Sequence, residues 1–322
     1  MPSKLCSLRT RGGRNILDRI KIGTRGSALA LWQANFIAGR LKEKFPTLEV
    51  ELIRVTTKGD KILDTPLSKI GGKGLFIKEL EAQLLDGSID LAVHSLKDVP
   101  TELPGGLTLA AITERAEPFD AFISNKFNSI AELPRGAIVG TSSLRRRAQL
   151  LAVRSDLSIE DLRGNVDTRL RRLDEGKFDA IILAAVGLKR LGHGDRIKKI
   201  LPTSEMIPAV GQGALAIEIA EGGRVENFVR ELDDPISRAA VSAERSFLKI
   251  VEGGCQIPVG VFASIVDGNL YVEGVIASID GRELVRGSIV GSLDRAAELG
   301  AQLAHQLLDD GGRNILDTIN HG

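Results

Sequence analysis

The strongest constraint on how this chain can fold is a strand-to-helix passage that it contains twice. Ile20 to Thr24 reads as a short strand, continues through Gly23-Thr24-Arg25-Gly26-Ser27 and opens a helical pattern; Ile138-Val139 leads through Gly140-Thr141-Ser142-Ser143 into a second helix. A later pair matches as well: Gly87-Ser88-Ile89-Asp90-Leu91-Ala92-Val93 is echoed by Gly176-Lys177-Phe178-Asp179-Ala180-Ile181-Ile182. The intervals differ, so the copies share a topology and are not a tandem repeat of fixed period. Two similar α/β lobes are implied, each with a turn whose free backbone N–H groups suit an anion. The cleft between such lobes is the expected ligand site.

The helix after Ser27 carries Leu29, Trp32, Phe36, Ile37 and Leu41 at spacings of three and four, and Pro46 stops it. Alternation of Glu49 and Glu51 with Val50 and Leu52 predicts a strand. The glycine loop Gly71-Gly72-Lys73-Gly74 precedes a helix with Phe76, Leu80 and Leu84 on one face, ended by Gly87. Ile89 to Val93 is a buried-strand run that delivers His94-Ser95-Leu96-Lys97-Asp98 at its carboxyl end, where open α/β sheets bind ligands. After Pro208, glycine punctuation and the run Ala214 to Ile219 predict a strand returning to one lobe. Asp234-Pro235 starts a helix with Ile236, Ala240, Ala243 and Phe247 on one face. Beyond Gly253-Gly254-Cys255, three alternating runs are separated by the hairpin signals Asp267-Gly268 and Asp280-Gly281. A helix with Leu299, Leu303 and Leu307 finishes the fold. The expected units are 20–115 with the returning segment 208–232, then 116–207, then 233–322, after a basic extension over 1–19.

The formal net charge is only +1, with 43% hydrophobic and 26% charged residues, ordinary globular values. No apolar run approaches the ~18 residues that span a bilayer. Cys6 and Cys255 form no disulfide framework, which suits a reducing compartment. His94, His193, His305 and His321 lack ligand spacing, so no metal site is expected. The residues before Ile20 are basic, read as a flexible extension or a trimmed organellar transit segment. Gly12 to Asp18 recurs residue for residue at Gly311 to Asp317, a repeat without a physical account at this level.

Charge is concentrated between Gly140 and Arg172, which holds Arg145, Arg146, Arg147, Arg154, Arg163, Arg169, Arg171 and Arg172. A nucleic-acid groove interleaves cations with aromatic platforms, and none occurs between Phe127 and Phe178. The planar guanidinium fork matches carboxylates, so the run reads as a cradle for a small polycarboxylate, against the alternative of a solvated helix face. A cap at Ser142 or Ser143 puts Arg145 to Arg147 in a first turn, where the macrodipole disfavours cations, so an anion is expected nearby. Asp98 reads either as an acid/base group or as a turn residue before Pro100. Cys255 follows a helix carboxyl end, which raises a thiol pKa and argues against a thiolate nucleophile. It reads as a buried structural cysteine or a permanent covalent anchor. His94 reads as a hydrogen-bonded histidine at the sheet end; Lys69 and Lys73 close over an anion or are solvated loop charges.

These motifs together resemble the porphobilinogen deaminase family over nearly the whole chain from Ile20. The resemblance rests on Thr24-Arg25-Gly26-Ser27, Gly71-Gly72-Lys73-Gly74-Leu75-Phe76, His94-Ser95-Leu96-Lys97-Asp98-Val99-Pro100, Gly140-Thr141-Ser142-Ser143-Leu144-Arg145-Arg146, Leu162-Arg163-Gly164-Asn165-Val166, Gly187-Leu188-Lys189-Arg190 and Gly253-Gly254-Cys255-Gln256-Ile257-Pro258. It implies a transferase that joins four porphobilinogen units head to tail into hydroxymethylbilane, releasing ammonia, for tetrapyrrole synthesis. It implies a dipyrromethane cofactor held by a thioether to Cys255, and Asp98 as the catalytic acid, stabilising the azafulvene cation left when ammonia departs. It further implies that Arg25, Ser27, Lys73, Ser95, Lys97, Thr141, Ser143, Arg145, Arg146, Arg163, Arg169 and Arg190 bind the acetate and propionate groups of cofactor and substrate.

The fold expected is therefore α/β: two similar, periplasmic-binding-protein-like α/β domains plus a smaller α+β C-terminal domain with a three-stranded antiparallel sheet. A cytoplasmic monomer without metal, nucleic-acid or membrane partners is expected, with an organellar stroma as the other compartment. Asp167 departs from the pattern, an acid inside the arginine loop that loosens carboxylate binding unless it caps the next helix. Two rivals remain at this level. A non-catalytic bilobal anion-binding protein has no use for an anchored thioether at Cys255, and a nucleic-acid binder shows steep salt dependence without needing Asp98.

Overall fold

The computed structural model describes residues 10–11, 14–15, 18–57, 77–251 and 257–321. A short antiparallel pair, β1 (Thr10–Arg11) and β2 (Arg14–Asn15), precedes the first lobe. That lobe starts with β3 (Arg19–Thr24), whose Ile20 and Ile22 are fully buried. Ser27 then caps α1 (Ala28–Lys44) by accepting the Ala30 N–H, and β4 (Glu49–Arg54) runs parallel to β3. After α2 (Lys78–Leu85), Gly87 takes the left-handed φ of 75° that releases the chain from the helix. Next come β5 (Leu91–Ser95) and β6 (Leu107–Ile112). The chain crosses to the second lobe and forms β7 (Asp120–Ile123), β8 (Ile138–Gly140), α3 (Leu144–Val153), β9 (Ser158–Glu160), α4 (Val166–Asp174), β10 (Ala180–Ala184), α5 (Ala185–Arg190) and β11 (Lys199–Leu201). It returns as β12 (Leu215–Ala220).

The strand orders are β4-β3-β5-β12-β6 and β9-β8-β10-β7-β11. In each sheet four strands run parallel and one, the fourth in that order, is reversed: β12 in the first and β7 in the second. The reversed strand is in each case the one that follows a crossing between lobes. The two lobes are therefore copies in topology, as the repeated strand-to-helix passage predicts.

Two local expectations in the first lobe need correction. The strand expected at Ile89 to Val93 lies two residues later, because pairing of Leu91 with Ile22 sets the register; Ile89 is core but precedes the ladder. On α1, the sheet takes Ala34, Ile37, Ala38 and Leu41, whereas Trp32 and Phe36 form a second ridge and stack on each other, centroids 5.2 Å apart and planes 8° from parallel. That ridge faces α5 of the other lobe, and Phe36 is 39% exposed. Phe76 lies outside the described residues, while Leu80 and Leu84 pack as expected.

After β12, α6 (Glu226–Arg230) buries Val229 in the first-lobe core, and the third unit begins at α7 (Pro235–Ile250), capped by Asp234, whose carboxylate accepts the Ser237 N–H at 2.7 Å. Ala240, Ala243 and Phe247 are buried, but Ile236, in the first turn, is exposed. The meander β13 (Val259–Val266), β14 (Asn269–Ala277) and β15 (Leu284–Gly291) turns at Asp267-Gly268, both with positive φ, as this hairpin type requires. Against it lies α8 (Ala296–Leu307), but the fold does not end there. The second copy of the repeated heptapeptide breaks α8 at Gly311 and starts α9 (Arg313–His321), burying Ile315 and Leu316 in the same core. The first copy, by contrast, contributes Arg14 and Asn15 to β2.

Candidate functional site

The carboxyl end of β5 in the first lobe and that of β8 in the second share one electrostatic field, since Arg145 and Arg146 act on Lys97. At the carboxyl end of β5, Ser95 is followed by a single 3-10 turn over Leu96–Asp98, which leaves Lys97 half-buried and Asp98 exposed. Ser95 accepts a hydrogen bond from Gln33 Nε2 of α1 at 2.7 Å, which holds the last strand residue against the first helix. At the matching end of β8, buried Thr141 accepts the Ser143 N–H, and Ser143 caps α3 by accepting the Arg146 N–H. Ser142 instead donates to the Leu162 carbonyl.

Arg145 and Arg146 therefore start α3, as expected, and the anion their placement calls for is present. It is a residue of the chain itself: Asp120, the first residue of β7, fully buried. Arg146 Nη2 and Nε reach its Oδ1 at 2.7 and 3.1 Å, and Arg145 Nη1 pairs with Oδ2 at 2.8 Å. Burial by itself raises the Asp120 carboxyl pKa, but the two guanidinium groups outweigh it and hold the group well below the usual carboxylate range. Each arginine also donates to a main-chain carbonyl, Arg145 to Ile207 and Arg146 to Ile182.

Gln212 extends the network back to the first lobe. Its amide donates to Asp120 Oδ1 at 3.0 Å and to the Pro118 carbonyl at 2.7 Å, and its carbonyl accepts from Lys97 Nζ at 3.4 Å. Burial pushes the Lys97 ammonium down to about 8, with Asp98 and Asp120 opposing and Arg146 and Arg145 adding to the shift. Burial likewise pushes Arg169 down to about 10, again with Arg146 and Arg163 adding and Asp98 opposing. Asp98 from one lobe thus shares a field with Lys97, Arg146 and Arg169, of which Arg146 is already paired with Asp120.

The chain's relatives bear on what such a cleft is for. The family model described as porphobilinogen deaminase, dipyromethane cofactor binding domain, matches residues 20–226, and the model for the C-terminal domain of the same enzymes matches 239–309. The chain belongs to the porphobilinogen deaminase family. Porphobilinogen deaminase of Chromobacterium violaceum is 52% identical over 304 residues, covering 94% of this chain and 98% of that protein. The Geobacter sulfurreducens protein of the same name is 52% identical over 94% of this chain and 95% of its own length. Among solved structures, the methionine binding protein MetQ is 16% identical over 67% of this chain and 89% of that one, with a TM-score of 0.43.

Within this deaminase family chain, the residues singled out from the sequence separate into groups. Lys97, Asp98, Arg145, Arg146 and Arg169 share the field of the cleft, while Ser95, Thr141 and Ser143 sit at the two strand ends. Ser27 is engaged as the α1 cap, and Arg25 is half-buried just ahead of it. Arg163 lies in the turn before α4, and Arg169 Nε donates to the Gly164 carbonyl. Arg190 goes elsewhere: Nη2 donates to the Gly213 carbonyl at 3.0 Å and the guanidinium lies over the Trp32 ring at 5.2 Å. Lys69, Lys73 and Cys255 lie outside the described residues. Asp167 does not cap α4; Asn165 does, and Asp167 pairs instead with His193 at 2.8 Å.

His94 is hydrogen-bonded, to buried Glu218 Oε2 at 2.9 Å, an acid supplied by the returning strand β12. Asp120, Gln212 and Glu218 were not legible as site or support residues. The only trace of Gln212 was its place between two glycines, and an acid opening an apolar strand carries no signal of its own.

A cluster with more positive charge than its own acids neutralise, partly desolvated, fits a polycarboxylate. The cleft therefore suits a dipyrromethane, whose ring substituents are acids, with Lys97, Arg146 and Arg169 as the groups available to hold it.

Proposed function

We propose that this chain joins porphobilinogen units head to tail, with loss of ammonia at each addition, to give hydroxymethylbilane. The observation that carries the reading is Asp98, an exposed carboxylate at a strand end within the field of Lys97, Arg146 and Arg169, in a chain of this family. The cations bind the acetate and propionate groups and so fix each pyrrole ring. Asp98 is then placed to stabilise positive charge on the ring nitrogen as the C–N bond to the leaving ammonia breaks. A dipyrromethane, joined as a thioether to Cys255, supplies the pyrrole carbon to which the first unit is added. The same reading divides the chain into 20–115 with 208–232, 116–207 and 233–322, and takes the protein as a cytoplasmic monomer.

Asp98→Asn should lower turnover by at least ~10³-fold, as expected for loss of charge stabilisation in a transition state. Ammonia release and the intact mass of the denatured protein are measured together. The variant should keep a mass excess of two porphobilinogens less two ammonias on the peptide containing Cys255, and Cys255→Ala should lack it. Normal turnover in Asp98→Asn would overturn the acid role, and an excess mass retained in Cys255→Ala would overturn the anchor.

A further inference from the structure

The turn that carries Asp98 is held on both sides, and the two holds come from different units. On the near side the Leu96 N–H donates to the Ala214 carbonyl, just ahead of β12, at 3.1 Å, and the Val99 N–H closes the turn on the Leu96 carbonyl at 3.0 Å. On the far side the chain runs on from Val99 and joins the sheet again only at Leu107, the start of β6, and Pro100 has no N–H to offer a partner. That stretch is held from α7 of the third unit. Arg245 Nη1 donates to the Val99 carbonyl at 3.1 Å, and its Nη2 donates to the carbonyls of Pro100 and Thr101 at 2.5 and 3.1 Å.

Arg245 belongs to one stripe of α7. Val241, Arg245 and Lys249 recur at intervals of four and share a helix face. Val241 packs with Leu96 and Val99, the two residues that bracket Lys97 and Asp98, and Lys249 pairs with Glu102 at 3.1 Å. That pair is exposed and contributes little, so the guanidinium is the main polar hold on the loop. Its planar fork suits several acceptors at once, which an ammonium does not match. Burial pushes the Arg245 pKa down with no carboxylate opposing, so its link to Asp98 runs through the main chain and not through charge. Among the described residues no hydrogen bond holds the Asp98 carboxylate itself, and its place therefore follows from the main chain of its turn.

We infer that Arg245 is a positioning residue, through which the third unit fixes the main chain beyond Asp98 and so sets where that carboxylate stands. The inference rests on the role of Asp98 proposed above. It gives the unit that carries Cys255 a second task, that of aiming the acid in the first lobe.

Initial rates of ammonia release are measured on the full-length protein and on Arg245→Ala, Arg245→Lys, Asp98→Asn and the double variant Asp98→Asn/Arg245→Ala. A misplacement of about 1 Å costs on the order of 10²-fold, so Arg245→Ala should lower kcat by about that factor and leave KM within roughly twofold. Arg245→Lys should recover only part of the loss. Guanidinium chloride, well below denaturing concentration, should restore rate to Arg245→Ala and not to Arg245→Lys. In the Asp98→Asn background, removal of Arg245 should cost less than about twofold more, because the one acts through the other. A merely structural arginine would lower the thermal midpoint in both backgrounds and multiply the two losses of rate. The inference is overturned by an unchanged kcat in Arg245→Ala, by a loss confined to KM, or by the full loss recurring in the Asp98→Asn background. Should Arg245→Ala fail to fold, Arg245→Lys goes through the same cycle, and full turnover there overturns the inference. Normal turnover in Asp98→Asn would overturn the acid role and this inference with it, whereas a normal Arg245→Ala beside an inactive Asp98→Asn leaves the proposed function standing.

Discussion

Asp120 determines what the arginines at the start of α3 do. Two guanidinium groups in a first helical turn oppose the helix macrodipole, and their burial compounds the cost. The carboxylate of Asp120 offsets both, and Gln212 donates a third hydrogen bond to its Oδ1, tying the pair to Lys97 of the opposite lobe. Asp120→Ala would leave two buried cations uncompensated and should cost about 3–5 kcal/mol, read as a lower urea midpoint at unchanged m-value. A loss below about 1 kcal/mol would mean that water reaches the arginines in the variant. Lys97 supplies a test by pH. Its lowered pKa of about 8 makes it an ammonium below that pH and an amine above it. Binding of an anionic substrate to the free protein should therefore weaken as pH rises through 8, seen as a falling kcat/KM. Lys97→Arg keeps the charge over this range, so that limb should disappear; a limb that persists would assign it to another group.

At the level of elements, α1 is fitted to two neighbours and the sequence periodicity shows only their sum. The apolar residues of α1 form one broad stripe in sequence, yet the structure divides them into a ridge on the sheet and a ridge toward α5. The packing of α7 on α8 is tighter still. A Cβ at Gly300 would stand 1.9 Å from the Ala243 carbonyl oxygen, so the helices touch backbone to backbone there. Gly300→Ala must push them apart, and overpacking of this kind costs about 1–3 kcal/mol or more. Thermal unfolding of the variant should show a midpoint lowered by several degrees, and an unchanged midpoint would mean the two helices slide without loss. The repeated heptapeptide illustrates the same dependence on neighbours: Arg313 and Asn314 open a helix because Ile315 and Leu316 find an apolar core, whereas Arg14 and Asn15 pair as a strand.

Across the whole molecule, the lobes and the third unit are joined at Arg115 and Glu244. Arg115, in the first crossing, donates to both oxygens of the fully buried Glu244 on α7, at 2.5 and 3.3 Å, and to the Gln212 carbonyl of the second crossing at 2.8 Å. Glu244 also accepts the N–H groups of Gly211 and Ala263. One ion pair thus binds both crossings and β13 together. Arg115→Ala should cost about 3–5 kcal/mol, since it strands a buried carboxylate. Hydrogen exchange at the Gly211 and Ala263 amides should accelerate well before the cores of the lobes exchange, and uniform acceleration throughout would show instead a general loss of stability.

What the sequence determined by itself is local. The strand-to-helix turns, the caps at Ser27, Ser143 and Asp234, the hairpin at Asp267-Gly268 and the return of the chain as β12 all follow from residues within a few positions of one another. The motifs at those turns also carried the family resemblance, and with it Asp98 and the arginines of α3. Tertiary structure alone decided the partners: Asp120 for Arg145 and Arg146, Gln212 for Lys97, Glu218 for His94, Glu244 for Arg115, and the Trp32 ridge for Arg190. Caps and turns are short-range geometry, fixed by bonded neighbours and nearby hydrogen bonds. Charge pairing in a desolvated cleft is long-range, and its energy depends on which distant segments the two crossings bring within a few ångströms.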